Sequence, residues 1–506
     1  MGLDGGFLKF TRLEPRHEPV EERIKHFNEF IAIYSDTEGR EQASRCMDCG
    51  IPFCQHQCPL HNTMPDTQQY VSDGDWESAW RVLDSTNSFP EITGRICPAP
   101  CEEGCTLGLH RDAVSIKAIE KKIAEVAFSR GYVTPQPAAA STGCSVAVVG
   151  SGPAGLAAAQ QLARMGHAVT VYEKMDKPGG LLRYGIPDFK LGKKVVDRRL
   201  DQLVREGVRF VLSIRVTGTD GETLEPGVHD DAESTISISA LQAKYDAVVL
   251  ALGAEVPRDL KLPGRELAGI HFALDFLIAQ NRVNSGGGVN PVQVRGKHVV
   301  VIGGGETASD CIGTASRLGA ASVTQLDYHA ELPLKADLMR EWPDWRHIKR
   351  TSTSQEEGCM RLFATNTVSF EGKKAVESVK TVQVKWGPGR KITPIEGTES
   401  EVKADVVLIA MGYAHPSHAI VKALGLATDK RGSIAAPVDG PEAWRTAAEG
   451  IFAAGDGRFG QSLVVNALAE GRECAAAVDK CSEMDAMVSM ADFRYNHPEA
   501  EEAEFV

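Results

Sequence analysis

The sequence has no hydrophobic run long enough to cross a membrane and no excess of basic residues. A membrane-spanning helix needs about 20 consecutive apolar residues. The start of the chain, Met1-Gly2-Leu3-Asp4, lacks the basic segment and the apolar stretch of a secretory signal. Asp and Glu number 68 against 55 Lys and Arg, which gives a formal net charge of −13. Because nucleic-acid binding requires a basic face, we expect no nucleic-acid partner. Because the sequence shows neither a membrane-spanning run nor a secretory signal, we expect a cytoplasmic protein without a membrane partner.

Cysteine is scarce outside one short segment. Of the 12 cysteines, seven fall between Cys46 and Cys105, and the others are scattered over the rest of the chain. A secreted disulfide scaffold would be shorter and richer in cysteine throughout. The 42% hydrophobic and 24% charged fractions are those of a globular protein. A local cysteine cluster in such a chain therefore indicates metal binding in a reducing compartment.

The first glycine-rich motif follows a predicted buried strand that ends at Val149. It reads Gly150-Ser151-Gly152-Pro153-Ala154-Gly155, and a predicted helix and a second strand ending at Glu173 follow it. In such a unit the first glycine permits a tight turn and the second lets the backbone approach a pyrophosphate. The third lets helix and strand pack closely, and the acid binds a ribose. The sequence therefore predicts a dinucleotide site here.

A second copy of this motif follows the predicted strand from Val299 to Ile302. It reads Gly303-Gly304-Gly305-Glu306-Thr307-Ala308, with an alanine in the place of the third glycine, and its second strand ends at Asp327. Two such motifs in one chain indicate a protein that holds a flavin dinucleotide and a nicotinamide dinucleotide face to face.

A third segment, residues 450–456, supports the flavin assignment. It reads as a short buried strand ending in Gly455-Asp456, and a helix is predicted from about Ser462. An aspartate here can bind the ribityl hydroxyls, and the helix N-terminus can stabilise negative charge on a reduced flavin ring. The residues assigned to flavin binding are Gly150, Gly152, Pro153, Ala154, Gly155, Glu173, Gly180, Leu181, Gly455, Asp456, Ser462 and Leu463. Those assigned to the nicotinamide dinucleotide are Gly303, Gly305, Glu306, Thr307, Ala308 and Asp327.

The end of the second motif bears on which nicotinamide is used. A carboxylate such as Asp327 binds the 2′-hydroxyl of NAD and repels a 2′-phosphate. The next basic residue, apart from His329, is Lys335. We expect NADH rather than NADPH, with NADPH left open. No cysteine pair follows Glu173, so dithiol chemistry at the flavin is not expected, and electrons must leave it by another route.

The cysteine cluster has two groups. The first is Cys46-x2-Cys49-x4-Cys54-x3-Cys58, followed by a proline, and the second is Cys97-x3-Cys101-x3-Cys105. Zinc sites usually come as pairs of Cys-x2–4-Cys, whereas close spacing with a trailing proline is typical of iron–sulfur ligation. Seven cysteines are one short of two four-iron clusters. Either one cluster has a ligand other than cysteine, or only one cluster is complete.

Together these motifs resemble the small (β) subunit of glutamate synthase, an NAD(P)H-dependent iron–sulfur flavoprotein. The resemblance rests on residues 45–54, 87–105 and 460–465 and on both glycine motifs, and it runs from about residue 5 to 482. The family implies that NAD(P)H gives a hydride to FAD. Electrons then pass singly through two 4Fe–4S clusters to a large (α) subunit, which makes glutamate from glutamine and 2-oxoglutarate.

The resemblance also implies a ligand set for each cluster, taken from the related module of dihydropyrimidine dehydrogenase. One cluster would take Cys46, Cys49, Cys54 and Cys105. The other would take Cys58, Cys97, Cys101 and a side-chain oxygen from the following helix, which here is that of Glu120.

The expected fold is α/β, with an N-terminal α-helical double iron–sulfur domain before two Rossmann-like domains. The expected segments are an N-terminal arm (1–25), the 4Fe–4S domain (26–135), the FAD domain in two parts (144–295 and 416–485), the NAD(P)H domain (296–415) and an acidic tail (486–506). Two alternatives stay open. One is a subunit of another ferredoxin-type or electron-bifurcating NAD(P)H oxidoreductase, and the other is a zinc-stabilised binding protein.

Overall fold

The computed structural model describes residues 5–219 and 221–496, except the side chains of Arg390 and of residues 481–496. In this part of the chain, no helix is both long and apolar enough to span a membrane. The architecture consists of a helical N-terminal region, two parallel sheets with flanking helices and a small antiparallel sheet. The predicted fold class is confirmed.

The N-terminal region is helical in the described residues, and a 3-10 helix, Thr106–Leu109, precedes its last helix. Apolar residues at Ile116, Ile119 and Ile123 form one buried face of that helix, which ends at Gly131 with a φ of 76°. The helices are α1 (Gly6–Lys9), α2 (Val20–Arg23), α3 (Asp36–Ala43), α4 (Phe53–Gln57), α5 (Met64–Asp73), α6 (Trp76–Thr86), α7 (Pro90–Ile96), α8 (Pro100–Glu103) and α9 (Ile116–Arg130).

The segment predicted as an N-terminal arm packs against the body of the protein. Arg23 is buried, and its Nε lies 2.8 Å from Oε1 of Glu357. Glu357 also pairs with Arg317, and neither side chain of this second pair is exposed. Because a buried charge must be paired, these contacts hold the arm against the second Rossmann-like domain.

The first parallel sheet follows a linker without regular structure. Its elements in chain order are β1 (Ser145–Val149), α10 (Pro153–Met165), β2 (Ala168–Tyr172), α11 (Leu181–Tyr184), α12 (Lys193–Arg205), β3 (Arg209–Val211), β4 (Ile214–Thr217), β5 (Ser234–Ser237), α13 (Ile238–Lys244) and β6 (Ala247–Leu250). The strand order is β6-β1-β2-β3, with a later strand beside β6, while β4 and β5 pair separately. The buried strands are continuously apolar, as expected for a sheet covered on both faces.

The remaining elements form the second Rossmann-like domain, an antiparallel insertion and the C-terminal part of the first domain. They are β7 (Ile270–Phe272), α14 (Ala273–Asn284), β8 (His298–Ile302), α15 (Glu306–Arg317), β9 (Ser322–Leu326), α16 (Leu338–Glu341), α17 (Thr353–Glu356), β10 (Cys359–Leu362), β11 (Thr365–Glu371), β12 (Ser378–Trp386), a 3-10 helix (Pro388–Arg390), β13 (Ile392–Pro394), β14 (Ser400–Lys403), β15 (Val406–Ile409), α18 (His418–Ala423), β16 (Ile451–Ala453), α19 (Asp456–Phe459) and α20 (Val464–Asn496). The second sheet has the order β10-β9-β8-β15-β7, and β16 completes the first.

Two features of the structure bear on the predicted segment boundaries. β7 pairs in parallel with β15, with Ile270 opposite Val407, so the second sheet begins well before the predicted boundary at 295/296. Because β7 has only three residues, its sequence shows no clear strand periodicity. Only its pairing with β15 assigns it to the second sheet. The helix α20 runs to Asn496, so the first half of the predicted tail is helical, and residues 497–506 lie outside the described residues.

A buried ion pair joins the helical region to the first Rossmann-like domain. Arg199 on α12 donates from Nε and Nη2 to the two carboxylate oxygens of Glu91 on α7, each at 2.7 Å. Both side chains are almost fully buried. Such a bidentate pair fixes the orientation of two planar groups, and it therefore sets the helical N-terminal region against the first Rossmann-like domain.

Candidate cofactor sites

The first glycine-rich loop connects β1 to α10. Gly150 has a φ of 103°, and a Cβ on it would lie 2.4 Å from the carbonyl oxygen of Ala251. A Cβ on Gly155 would lie 2.0 Å from the carbonyl oxygen of Gly150. Around Gly152, by contrast, a Cβ would meet no atom within 4 Å. Only this glycine leaves open space beside the backbone, at the N-terminus of α10, where a phosphate can approach.

A large cavity opens above this loop and contains the acid at the end of β2. Glu173 is 5% exposed, and its Oε2 accepts a hydrogen bond from the Ser151 backbone N–H at 3.0 Å. Its Oε1 accepts from the Met175 backbone N–H at 2.9 Å. Ten of the residues predicted to bind flavin line this cavity: Gly150, Gly152, Pro153, Ala154, Glu173, Gly180, Leu181, Asp456, Ser462 and Leu463. The other two, Gly155 and Gly455, are not among the lining residues.

The far end of the cavity lies at the start of α19. Oδ1 of Asp456 accepts a hydrogen bond from Oγ of Ser462 at 2.8 Å, and burial raises the pKa of this carboxyl to about 6. Asp456 follows β16 and Glu173 follows β2, and two strands lie between these in the sheet. Three strand spacings amount to about 14 Å. The cavity therefore runs across the carboxyl ends of the strands, a shape and polarity that fit an extended dinucleotide such as FAD.

The sequence interpretation missed several cavity residues. Leu252 and Gly253 follow β6, and Lys174 and Met175 follow Glu173. Their position directly after predicted strands could have identified these residues, because ligands of parallel sheets bind at the carboxyl ends of the strands. Among the described residues that line the cavity none is a cysteine, as the sequence predicts for this region.

The second glycine-rich loop connects β8 to α15 and is exposed at Gly304, Gly305 and Glu306. Gly303 has a φ of 137°, and a Cβ on it would lie 2.2 Å from the carbonyl oxygen of Ala410. A Cβ on Gly305 would meet no atom within 4 Å. The loop therefore leaves open space at the position that corresponds to Gly152. Thr307 and the buried Ala308 follow in the first turn of α15.

Asp327 lies directly against this loop. A Cβ on Gly304 would lie 2.1 Å from Oδ2 of Asp327, so a larger residue there would displace the carboxylate. Oδ1 of Asp327 accepts from the backbone N–H of His329 at 2.9 Å and lies 2.9 Å from its Nδ1. The carboxylate that the sequence assigned to the ribose is thus at the loop, with one oxygen against the glycine and the other held by His329.

Three aromatic rings stand beside Asp327. The rings of His329 and Trp386 are stacked, with centroids 5.3 Å apart and planes 5° apart. The ring of Tyr328 lies 5.6 Å from that of Trp386, whose Nε1 donates to the Tyr328 carbonyl oxygen at 3.0 Å. Trp386 comes from β12 of the antiparallel insertion, so sequence spacing gave no signal for it. We refer to Tyr328, His329 and Trp386 as the aromatic platform.

The first group of thiols surrounds a small cavity in the helical region. All four cysteines of the ligand set Cys46, Cys49, Cys54 and Cys105 line it. Burial, together with the charges of neighbouring thiols, raises the pKa of Cys46 to about 11 and that of Cys54 to about 12. These thiols are therefore short of compensating positive charge, which iron ions would supply.

The second group contains Cys58, Cys97, Cys101 and Glu120. Burial, with the Glu120 charge next, raises the pKa of Cys97 to about 12, and burial raises that of Cys101 well above its usual value. Glu120 is 8% exposed, and burial raises its pKa to about 7. Its carboxylate accepts from Oγ1 of Thr93 at 2.5 Å and from Nδ2 of Asn62 at 3.4 Å. Three thiols and one carboxylate that lie close together in a largely buried region fit an iron–sulfur cluster.

In the described residues, no three His, Cys, Asp or Glu side chains are placed to hold one metal ion. Residues 23–132 match the family model described as dihydropyrimidine dehydrogenase domain II, 4Fe-4S cluster. The prediction of an iron–sulfur domain is thereby confirmed against the zinc alternative.

The second part of the chain also matches a known family. Residues 144–471 match the model described as pyridine nucleotide-disulphide oxidoreductase. The structure of Mycobacterium tuberculosis FprA in complex with NADPH aligns with a TM-score of 0.50 at 19% identity, over 69% of this chain and 86% of that one. This likeness supports the fold of two Rossmann-like domains.

Curated relatives match nearly the whole chain. The small chain of glutamate synthase [NADPH] from Mycobacterium tuberculosis is 45% identical over 489 residues, which cover 95% of this chain and 96% of the relative. Glutamate synthase [NADH] from Schizosaccharomyces pombe is 39% identical over 94% of this chain, which matches 22% of that longer protein. The chain belongs to the family of glutamate synthase small chains.

Proposed function

We propose that this chain is the electron-input subunit of a glutamate synthase, which oxidises NAD(P)H at FAD and passes electrons through 4Fe–4S clusters to a large (α) subunit. There glutamate is made from glutamine and 2-oxoglutarate. The observation that carries the proposal is the presence on one chain of a dinucleotide cavity, an exposed second dinucleotide loop and two groups of buried or partly buried thiols. Bound FAD accepts hydride as an electron pair and releases electrons singly, as 4Fe–4S clusters require.

The chain's own residues bind and orient the two dinucleotides. Gly152 and Gly305 leave their backbones open at the starts of α10 and α15, where the helix N-termini favour phosphate. Glu173 and Asp327 offer carboxylate oxygens to a ribose at each site. Asp456 and Ser462 form a hydrogen-bonded pair at the other end of the FAD cavity, where they can bind ribityl hydroxyls.

We propose two clusters, one for each group of ligands. The support is that Cys46, Cys49, Cys54 and Cys105 surround one cavity. Glu120, in contrast, influences the pKa of Cys58, Cys97 and Cys101. Chemical analysis of anaerobically purified protein should give about eight iron atoms and eight sulfides per chain. About four of each would contradict the second cluster.

The role of Glu120 can be tested separately. Glu120→Ala should lose or alter the electron paramagnetic resonance signal of one cluster only, because the first group contains no Glu120 contact. Glu77→Ala is the control, since Glu77 is a half-exposed residue of α6. A spectrum of Glu120→Ala identical with that of the control would remove Glu120 from the ligand set.

We also propose that NADH is preferred to NADPH. Asp327 has a 14% exposed side chain that lies against the loop, where it can accept from a 2′-hydroxyl and repel a 2′-phosphate. The aromatic platform beside it offers exposed ring surface for an adenine to stack on. Relatives named for NADPH and for NADH both occur in the family. A comparison of kcat/KM for NADH and NADPH therefore decides which nucleotide this chain prefers.

The decisive experiment uses the chain together with its large subunit. The two are purified anaerobically, and the oxidation of NADH and of NADPH is followed with glutamine and 2-oxoglutarate present. Oxidation that needs both substrates, with formation of glutamate, is the expected result. Without the large subunit, the chain should reduce only artificial acceptors.

The alternative is a subunit of another ferredoxin-type or electron-bifurcating oxidoreductase. It shares the two dinucleotide sites and the clusters, and differs only in the acceptor. Oxidation with ferredoxin or dyes alone, despite intact clusters and a bound large subunit, would favour it over glutamate synthesis.

A further inference from the structure

A second cavity lies among the N-terminal arm, α9 and the loop before α12, apart from the FAD cavity. We propose that this cavity binds a small dicarboxylate anion between Lys117 and Lys121. Eight charged side chains line it, five of them cationic: Arg12, Arg95, Lys117, Lys121, Lys190, Glu14, Glu29 and Glu102. Neither the glycine motifs nor the thiol groups include any of these residues.

Most of these charges are already paired. Arg12 pairs with Glu102 at 2.7 Å and also with Glu14. Arg95 pairs with Glu29 at 2.8 Å. Lys190 is turned away toward α15, where its Nζ lies 2.7 Å from Oδ1 of Asp310 and 3.1 Å from Oε2 of Glu306. The cavity carboxylates are therefore engaged mainly by the two arginines, and Glu29 also lies within ion-pair distance of Lys121.

Lys117 has no ion pair among the described residues, although the charges of Cys97, Glu102 and Glu306 act on it. Its backbone N–H donates to Oε1 of Glu102 at 2.9 Å, but among the described residues its Nζ has no hydrogen-bond acceptor and no carboxylate within ion-pair distance. A largely buried ammonium that has no ion pair is costly. An anion in the cavity would remove that cost.

Lys121 supplies the second cation. Its Nζ donates to the Ile31 carbonyl oxygen at 3.0 Å and lies 3.9 Å from Oε2 of Glu29. An ammonium has three N–H donors, so donors remain for a ligand. Lys117 and Lys121 are one helical turn apart, with Cβ atoms about 5–6 Å from each other. Two lysines on one face of a helix can each bind one carboxylate of the same short diacid.

The walls between the two cations are apolar. Ala118 and Ala32 line the cavity together with Ile31 and Phe189. Two charged ends and an apolar middle match a short dicarboxylate better than a compact anion such as phosphate, which has no apolar part to bury.

Isothermal titration calorimetry of the full chain, with its flavin and clusters, tests the proposal with succinate as the probe. We expect saturable binding of succinate at about one per chain, with inorganic phosphate at least about tenfold weaker. Lys117→Met should weaken succinate binding about tenfold or more, while Lys117→Arg keeps the charge and most of the affinity. Lys194→Met, at an exposed lysine of α12, should bind succinate like the unchanged protein.

Three results would overturn the proposal. They are no binding of succinate, binding that Lys117→Met leaves unchanged, and binding of phosphate that equals that of succinate. The last would point to an unspecific anion site. If Lys117→Met fails to retain flavin, Lys121→Met replaces it, with the same weakening expected and unchanged affinity counting against the site. The succinate titration is repeated with saturating NAD⁺ to test whether succinate binds at the nicotinamide site instead. Displacement of succinate by NAD⁺ would also overturn the proposal.

Discussion

The loop of residues 150–155 lies within a cavity, whereas the loop of residues 303–308 is exposed at the carboxyl end of the central strand β8. Ser151 is fully buried, but Gly304 and Gly305 are exposed. Each loop is nevertheless contacted at its second residue by the acid from the next strand. In the first loop Glu173 accepts from the Ser151 N–H, and in the second Asp327 lies against Gly304.

This difference teaches how one motif can serve two kinds of ligand. A dinucleotide in the first site would be covered by residues from several strands and from α20, which suits a resident cofactor. A dinucleotide in the second site would remain accessible to solvent, which suits a substrate that must leave after every turnover. We infer that surroundings distant in sequence, rather than the motif, separate FAD from NAD(P)H.

The largest effect on stability and flavin content is expected from a substitution at Gly155, where the first loop has no space for a side chain. Gly155→Ala places a methyl group 2.0 Å from the carbonyl oxygen of Gly150, and overpacking of this kind costs about 1–3 kcal/mol. We expect a lower melting temperature and less flavin per chain. The matched change in the second loop is Ala308→Gly, which removes a methyl and costs about 1 kcal/mol through helix propensity. Flavin loss from Ala308→Gly that equals the loss from Gly155→Ala would contradict the packing difference.

A matched pair of substitutions then tests the two open positions. Neither Gly152→Ala nor Gly305→Ala meets a protein atom within 4 Å, so both variants should fold. We expect Gly152→Ala to weaken flavin retention about tenfold or more, and Gly305→Ala to raise KM for NADH by a similar factor with flavin retained. Flavin content and steady-state kinetics with a dye acceptor measure both. Loss of the same cofactor in both variants would refute the assignment of the loops.

The acids provide the next comparison. Asp327→Ser removes the charge that repels a 2′-phosphate, and we expect kcat/KM for NADPH relative to NADH to rise about tenfold. Glu173→Gln is the control, since it should alter flavin retention and leave the nicotinamide preference unchanged. An unchanged ratio in Asp327→Ser would show that selectivity is set elsewhere.

The parts of this structure that sequence predicts are those in which local spacing dictates geometry. The turn at Gly150, the start of α10 and the end of β2 follow from residues adjacent in the chain. The separation of the thiols into two groups came from a family resemblance, and the group of four around one cavity is consistent with it.

What sequence did not predict depends on contacts between distant segments. β7 joins the second sheet through β15, and Arg23 of the arm reaches Glu357. Trp386 stacks on His329 from an antiparallel sheet that no motif marks. Periodicity carries no information about such pairings, because each depends on how separate elements pack.

The smallest expected effect concerns Trp386 itself. If an adenine stacks on the aromatic platform, Trp386→Ala should raise KM for NADH about three- to tenfold, because an aromatic pair contributes about 0.5–1.5 kcal/mol beyond its buried area. It should leave kcat with a dye acceptor unchanged, since the ring lies near Asp327 at the ribose end of the site. Trp345→Ala is a matched control, because both tryptophans are 37% exposed, and the Trp345 ring stacks on Arg350 rather than beside Asp327. Equal values of KM for the two variants would show that Trp386 does not bind the nucleotide. The second site would then bind it through the glycine loop and Asp327 alone.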